Sequence, residues 1–297
     1  MKFGQVPDPS VIDFRIPETP EVTLELLNHF KTGEPHEVHV GCAKWNKTDL
    51  KGFYPKGVKD ELVYYSGQFN SIELNATFYN SPTPQQVETW KAKTPPAFKF
   101  FPKLPQTISH FGRLLNTDDK VRDFVDATLL FEEKLGMAFL QMHDNYKPKD
   151  FRRLEDFLHA FPKGYPLALE VRNAEWFSNP EVSKNLYRLL EETGVTNVLV
   201  DTAGRRDLMH MRLTTPVAFV RYVGANHPSD YTRLDEWIST LKKWKEAGLQ
   251  KLYFFIHQNV ELESPLLAAH FIQNLNRELG TDLHIPVKPE TPPGLFS

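Results

Sequence analysis

Short apolar runs recur along the chain at 38–42, 70–75, 98–103, 137–143, 167–172, 197–201, 217–222 and 252–257, and a helical stretch separates most of them. Many stop at a charged or amide residue, as in Phe69-Asn70-Ser71-Ile72-Glu73-Leu74-Asn75. Strands that alternate with helices pair in parallel, because each parallel neighbour needs a long crossover, and eight such units close a barrel. The expected fold is therefore α/β, a TIM-barrel-like (β/α)8 single domain with an N-terminal extension. Barrels of this kind carry their chemistry at the carboxyl ends of the strands. Function is expected where the apolar runs stop.

A barrel takes roughly 250 residues, so a chain of 297 residues leaves short extensions on one domain. The expected boundaries are an extension over 1–37, the barrel over 38–279 and a proline-rich tail over 280–297. Residues 22–31 carry Val22, Leu26, Leu27 and Phe30 at helical spacing and are expected to cap the barrel bottom or a flank. Cys42 is the only cysteine, so no intramolecular disulfide can form, which suits a reducing compartment. The opening residues lack the apolar core of a signal peptide and no stretch has the length of a membrane span. A cytoplasmic protein without a membrane partner is expected. The net charge of −3 argues against a generally cationic nucleic-acid binder.

Helices are expected at 84–93, 118–135, 148–160, 180–193, 231–247 and 265–279. Asn179-Pro180 and Ser264-Pro265 supply starting chemistry, and Gly136, Gly194, Gly248 and Gly280 supply stops. The segment 202–210 reads as a less regular loop.

Side chains alternate across a strand, so parity selects which polar groups share the barrel interior. Glu73 pairs with Asn75, Gln141 with His143, Glu170 with Arg172 and His257 with Asn259; Lys103, Asp201 and Arg221 stand at other strand ends. One Glu–Arg pair is compatible with a structural ion pair, but charges are costly to bury, and so many at one mouth point to a ligand. Glu73, Glu170, Asp201, His143 and His257 offer donors for a divalent metal, although no compact His-x-x-x-His or Cys-x-x-Cys spacing supports one. Lys103 and Lys44 suit an anion, or an amine nucleophile if desolvated. Arg205 and Arg206 suit a phosphate or carboxylate clamp or a solvated loop. Cys42 and His39 read as packed core residues. Trp45, Phe53, Tyr54, Phe78, Tyr79, Trp176 and Phe177 follow strands, placed to stack on a sugar or base or to seal the barrel top. No phosphate loop or dinucleotide fingerprint is present.

At these residues the chain resembles the YecE-like proteins, domain of unknown function 72. The resemblance runs from about Val38 to Leu279. It rests on Gly41-Cys42-Ala43-Lys44-Trp45, Phe53-Tyr54-Pro55, Tyr64-Tyr65 and above all the run from Phe69 to Tyr79. Phe98-Lys99-Phe100 with Lys103, Ile108-Ser109-His110, Glu170-Val171-Arg172 with Trp176-Phe177, Asp201 and Val220-Arg221-Tyr222 extend it. It implies a TIM-barrel-like fold and no established activity. The chain departs from the commoner pattern at Gln141-Met142-His143-Asp144, Arg221-Tyr222-Val223-Gly224 and His257-Gln258-Asn259, gaining a histidine at two rim positions and losing one at a third.

The expected function is an enzyme acting on a small or oligomeric anionic substrate, phosphorylated or sugar-containing. Catalytic candidates are Glu73 or Glu170 as base, His257 or His110 as acid, and Asp201. Substrate-binding candidates are Lys44, Trp45, Asn75, Tyr79, Lys103, Gln141, His143, Arg172, Trp176, Arg205, Arg221 and Asn259. Metal-assisted phosphoester hydrolysis is the sharpest form and metal-free proton transfer or isomerisation the next. A nucleotide or single-stranded nucleic-acid binder without turnover, and a scaffold whose chemistry has decayed, stand as the other classes. No sequence feature sets an oligomeric state.

Overall fold

The computed structural model describes residues 4–31 and 36–287. Residues 1–3 and 32–35 of the expected extension and 288–297 of the expected tail lie outside them. Eight parallel strands stand in the order β3-β2-β1-β8-β7-β6-β5-β4: β1 (Glu37–Cys42), β2 (Ser71–Leu74), β3 (Lys99–Pro102), β4 (Ala138–Gln141), β5 (Leu167–Glu170), β6 (Thr196–Thr202), β7 (Val217–Gly224) and β8 (Lys251–Gln258). Every ladder is parallel. Among the described residues the backbone pairing across the seam between β3 and β4 is limited to the isolated bridges Phe100–Leu135 and Lys103–Phe139, so the barrel is nearly closed. The fold is a single α/β TIM-barrel-like domain.

The helices are α1 (Glu21–His29), α2 (Glu61–Gln68), α3 (Pro84–Ala92), α4 (Asp118–Leu129), α5 (Phe151–Ala160), the short α6 (Glu175–Ser178), α7 (Pro180–Thr193), α8 (Ser229–Ala247) and α9 (Ser264–Leu279). Asn179 caps α7 by accepting from the Glu181 and Val182 amides, with Pro180 in the first turn, and Gly194 and Gly280 end α7 and α9 at positive φ. The helix expected at 118–135 is shorter. It ends at Leu129, and the chain turns through Glu132 at φ 52°. Gly136 therefore stops no helix; a β-carbon there would lie 2.5 Å from the Phe101 ring, and glycine is what lets the two strands close over it. No helix was expected at α2, whose N-cap Asp60 accepts from the Leu62 and Val63 amides. Among the described residues no helix is long and apolar enough to cross a membrane.

Helix α1 lies at the strand-start end beside α8. Thr23 Oγ1 donates to the Met211 carbonyl, Trp244 Nε1 donates to Thr19 Oγ1 at 2.9 Å, and Gln250 Nε2 donates to the Phe30 carbonyl. The segment before it runs to the opposite end of the barrel, where Gly204 N donates to the Gly4 carbonyl.

Inside the barrel, Phe101, Phe139, Phe219, Tyr253 and Phe255 pack with Val198 and Val200 in an apolar plug. The register places Gly41 inward, where a β-carbon would stand 2.3 Å from the Ser71 carbonyl oxygen. Above the plug, toward the carboxyl ends, the inward positions turn polar.

Candidate functional site

That polar layer is a connected network. From β7, Arg221 donates through Nε to Glu73 Oε2 (2.8 Å), through Nη2 to Glu73 Oε1 (2.7 Å) and through Nη1 to Glu170 Oε2 (2.6 Å). Arg172, just past β5, donates to Glu170 Oε1. Gln141 Nε2 donates to both Glu170 oxygens at 3.1 Å and its Oε1 accepts from Lys103 Nζ at 2.8 Å. Asn75 Nδ2 donates to Glu73 Oε1 at 2.8 Å, and His257 Nε2 lies 3.0 Å from Glu73 Oε2. Glu73, Lys103, Gln141, Glu170 and Arg221 are all buried.

Their charges set one another. Burial by itself would raise the Glu73 carboxyl; the Arg221 guanidinium and His257 reverse this and hold it well below the usual carboxylate range. Burial also acts most strongly on Glu170 and is overridden by Arg172 and Arg221, which bring it down to about 2. Lys103 goes the other way. Burial, then repulsion from Arg221 and Arg172, pushes its ammonium down to about 7 against smaller pulls from Glu170 and Glu73. Its Nζ forms no ion pair among the described residues and sits 4.0 Å from the Phe78 ring centroid.

A cleft of about 400 Å³ opens beside this layer, lined by Ala43, Lys44, Trp45, Asn46, Glu73, Asn75, Ala76, Phe78, Tyr79 and Lys103. The turn Asn75–Phe78 after β2 folds Phe78 back over Lys103, with Thr77 Oγ1 donating to the Leu74 and Lys103 carbonyls. His110 edges onto Phe78 and His143 at ring distances of 4.9 and 5.2 Å. Burial, with Lys103 and His143 nearby, lowers it to about 4, so it is neutral at pH 7.

A family of proteins of unknown function, DUF72, matches residues 39–292 of the chain. The chain belongs to DUF72. Similar proteins include the UPF0759 protein YecE of Escherichia coli strain K12, 26% identical over 275 residues, covering 85% of this chain and 98% of YecE. The UPF0759 protein YunF of Bacillus subtilis strain 168 is 28% identical over 171 residues, covering 54% of this chain and 60% of YunF. The fold is similar to the DUF72 crystal structure from Thermotoga maritima MSB8 (TM-score 0.63, 26% identity, 81% of this chain and 100% of that one). It is also similar to one from Enterococcus faecalis V583 (TM-score 0.65, 16% identity, 84% and 99%).

Measured against the sequence expectations, this DUF72 barrel brings Glu73, Asn75, Lys103, Gln141, Glu170, Arg172, Arg221 and His257 into the network, and Lys44, Trp45 and Tyr79 onto the cleft. His110 and exposed His143 stand on the same rim. Asn259 follows β8, its amide donating to the Gly224 carbonyl. Arg205 pairs with Asp207 at 3.0 Å and donates to the Arg172 carbonyl, which fixes it beside the rim.

Two expected site residues lie elsewhere. Asp201 pairs in register with Tyr222 while its neighbour Val200 pairs with inward Arg221, so its carboxylate points out of the barrel toward α8. There it accepts from Arg233 Nη2 (2.7 Å), Trp237 Nε1 (2.8 Å) and Arg206. Trp176 is a fully buried core residue, stacked on Tyr146 and donating through Nε1 to the Tyr146 carbonyl at 2.8 Å. Arg221 stands in the site but is committed to the two glutamates, which leaves it unsuited to hold a substrate anion. Cys42 and His39 are buried as expected; burial pushes the Cys42 thiol well up.

The donor set does not fit a divalent metal. Asp201 is outside the barrel, both glutamates are spent on guanidinium groups, and among the described residues no three His, Cys, Asp or Glu side chains gather as ligands. Asn46, which completes the cleft, carried no signal in the sequence beyond nearness to Trp45, whereas Ala76 lies within the run from Phe69 to Tyr79.

Proposed function

We propose that this DUF72 protein is an enzyme that binds a small anionic substrate, phosphorylated or sugar-like, in the cleft beside Glu73 and transfers a proton on it, with Lys103 as the exchanging group. One observation carries this: a buried lysine at the cleft has a neutral amide as its hydrogen-bond partner and, among the described residues, no carboxylate paired with it. An amine poised near neutral pH both takes and gives a proton at little cost. Trp45, Phe78 and Tyr79 supply faces for a ring or sugar, Asn75 an amide group, and exposed Lys44, paired with Asp49 at 3.4 Å, a cation for the anionic end, while the Asn46 side chain is committed to Asp49. Glu73 is too stable as an anion to serve as base; it orients His257 and balances Arg221. The dispersal of carboxylate and imidazole donors among the described residues argues against hydrolysis through a metal.

Proton exchange in heavy water tests this. Ribose 5-phosphate and pyruvate, incubated with the protein and followed by proton NMR, should lose C–H signal, and Lys103→Met should slow the loss by about a hundredfold or more. Equal exchange in the variant overturns the proposal. So does nucleotide binding that weakens steeply with salt and survives loss of Lys103, which marks a binder without turnover.

A further inference from the structure

We infer that Lys103 forms a Schiff base with an anionic aldehyde or ketone held in the cleft. This rests on the proposal that the cleft is the substrate site, and adds the substrate class, carbonyl compounds carrying a carboxylate or phosphate, and a covalent step.

The charge count of the polar layer is the first reason. Groups facing Lys103 are Glu73 from β2, His110 after β3, Gln141 from β4, Glu170 and Arg172 from β5 and its end, and Arg221 from β7. Two carboxylates and two guanidinium groups already balance, with His110 and Gln141 neutral at pH 7, and the His257 imidazole on Glu73 brings no negative charge. A charge on Lys103 is an excess cation in a buried site, and its ammonium is disfavoured on electrostatic grounds before any ligand arrives. An anion-holding lysine would be expected to keep its charge; this one is arranged to lose it.

Geometry is the second reason. Gln141 Oε1 at 2.8 Å and the Phe78 ring at 4.0 Å restrain Nζ, and the lysine borders a cleft of about 400 Å³, room for a small sugar phosphate or 2-oxo acid. Exposed Lys44, paired with Asp49 at 3.4 Å, stands on the same cleft within reach of the anionic end.

The step is balanced without an oxidant or reductant. The Nζ lone pair attacks the carbonyl carbon and the C=O π pair moves to oxygen, giving a carbinolamine. The C–O bond then breaks as C=N forms, and the oxygen leaves as water carrying both hydrogens of the amine nitrogen. A proton taken up by the imine makes it an electron sink, which acidifies the adjacent C–H; Lys103 then promotes the exchange through its imine, and the released proton passes to the neutral imidazole of His110 on the same rim.

Reductive trapping reads the adduct directly. Full-length protein at pH 7 is treated with pyruvate, or separately ribose 5-phosphate, in the presence of sodium cyanoborohydride, and modified lysines are mapped by peptide mass spectrometry. An ordinary exposed lysine is neutral in only roughly one molecule in a few thousand at that pH, so the reduced adduct is expected on Lys103 at least about tenfold above any other lysine. The two probes separate carboxylate from phosphate as the recognised anion. The mapping needs no variant and so does not depend on how Lys103→Met folds. If the probes stabilise the protein and exchange their C–H protons while Lys103 stays unmodified, the Schiff base is overturned and the proton-transfer proposal stands. If they neither bind nor exchange, both fall.

Discussion

Arg221 grips Glu73 through two parallel hydrogen bonds, Nε to Oε2 at 2.8 Å and Nη2 to Oε1 at 2.7 Å, in a buried site. Its remaining side reaches Glu170 at 2.6 Å, so one cation from β7 ties β2 to β5 across the barrel. Removing one partner of a buried pair leaves an uncompensated charge, which costs more than the pair contributes. Arg221→Met, close in volume and uncharged, should lower unfolding stability by about 3–5 kcal/mol in urea titrations. A loss under about 1 kcal/mol would mean that the network is loosely held and solvated.

The same network fixes an acid-sensitivity window. The Glu170 carboxyl is lowered in the folded protein from 4.5 to about 2, and Glu73 is lowered as well. The unfolded chain binds protons more readily in that range, so their stabilisation is complete above pH 4.5 and drains away as pH falls toward 2. Urea midpoints should fall steeply between pH 4.5 and 3, and Glu170→Gln, although less stable at pH 7, should show a shallower fall. Parallel curves would place the acid response on other carboxylates.

The barrel and much of this layer were legible in the sequence because strand parity carries over into three dimensions: Glu73 and Asn75, or Glu170 and Arg172, have to share a side. Parity does not say which side. β6 is buried on both faces, and its run Val198-Leu199-Val200 is apolar at both parities, as parallel barrel strands are. The pairing of Val200 with Arg221 and the hydrogen bonds from Arg233 and Trp237 show that Asp201 faces outward. Trp176 was misplaced for a related reason, since an aromatic after a strand reads alike whether it lines a cleft or seals a core. Helix α2 was hidden by Val63-Tyr64-Tyr65 and Gly67, residues of modest helix propensity, despite the capping signal of Asp60.

Asp201 accordingly tests the distinction between a buried charge that serves structure and one that serves a site. Asp201→Asn should lower stability by about 2–4 kcal/mol, since Arg233 loses a buried counter-charge. It should leave proton exchange by the folded fraction unchanged. A variant that is stable yet inactive would return Asp201 to the mechanism.

Lys103 should behave oppositely to the glutamates. With its amine lowered from 10.5 to about 7 in the folded state, the unfolded chain binds the extra proton between those values, and stability rises with pH across that window. Below about pH 7 the folded protein bears the whole penalty of a buried ammonium. Lys103→Met is thus expected to melt no earlier than the parent at pH 7, and any gain should shrink by pH 10. A variant that melts much earlier at both pH values would show that the lysine is a structural element.

The central claim is that this lysine is an amine able to shed its proton at the cleft, and its titration can be watched directly. Proteins carrying carbon-13 at lysine Cε, parent and Lys103→Met, would be followed by heteronuclear NMR from pH 5 to 11, the Lys103 signal being the one absent from the variant. A midpoint at about 7 is the result expected from the buried, doubly arginine-flanked position. A midpoint at 10 or above would mean that Lys103 stays a cation throughout, and would contradict both the proton transfer and the Schiff base assigned to it.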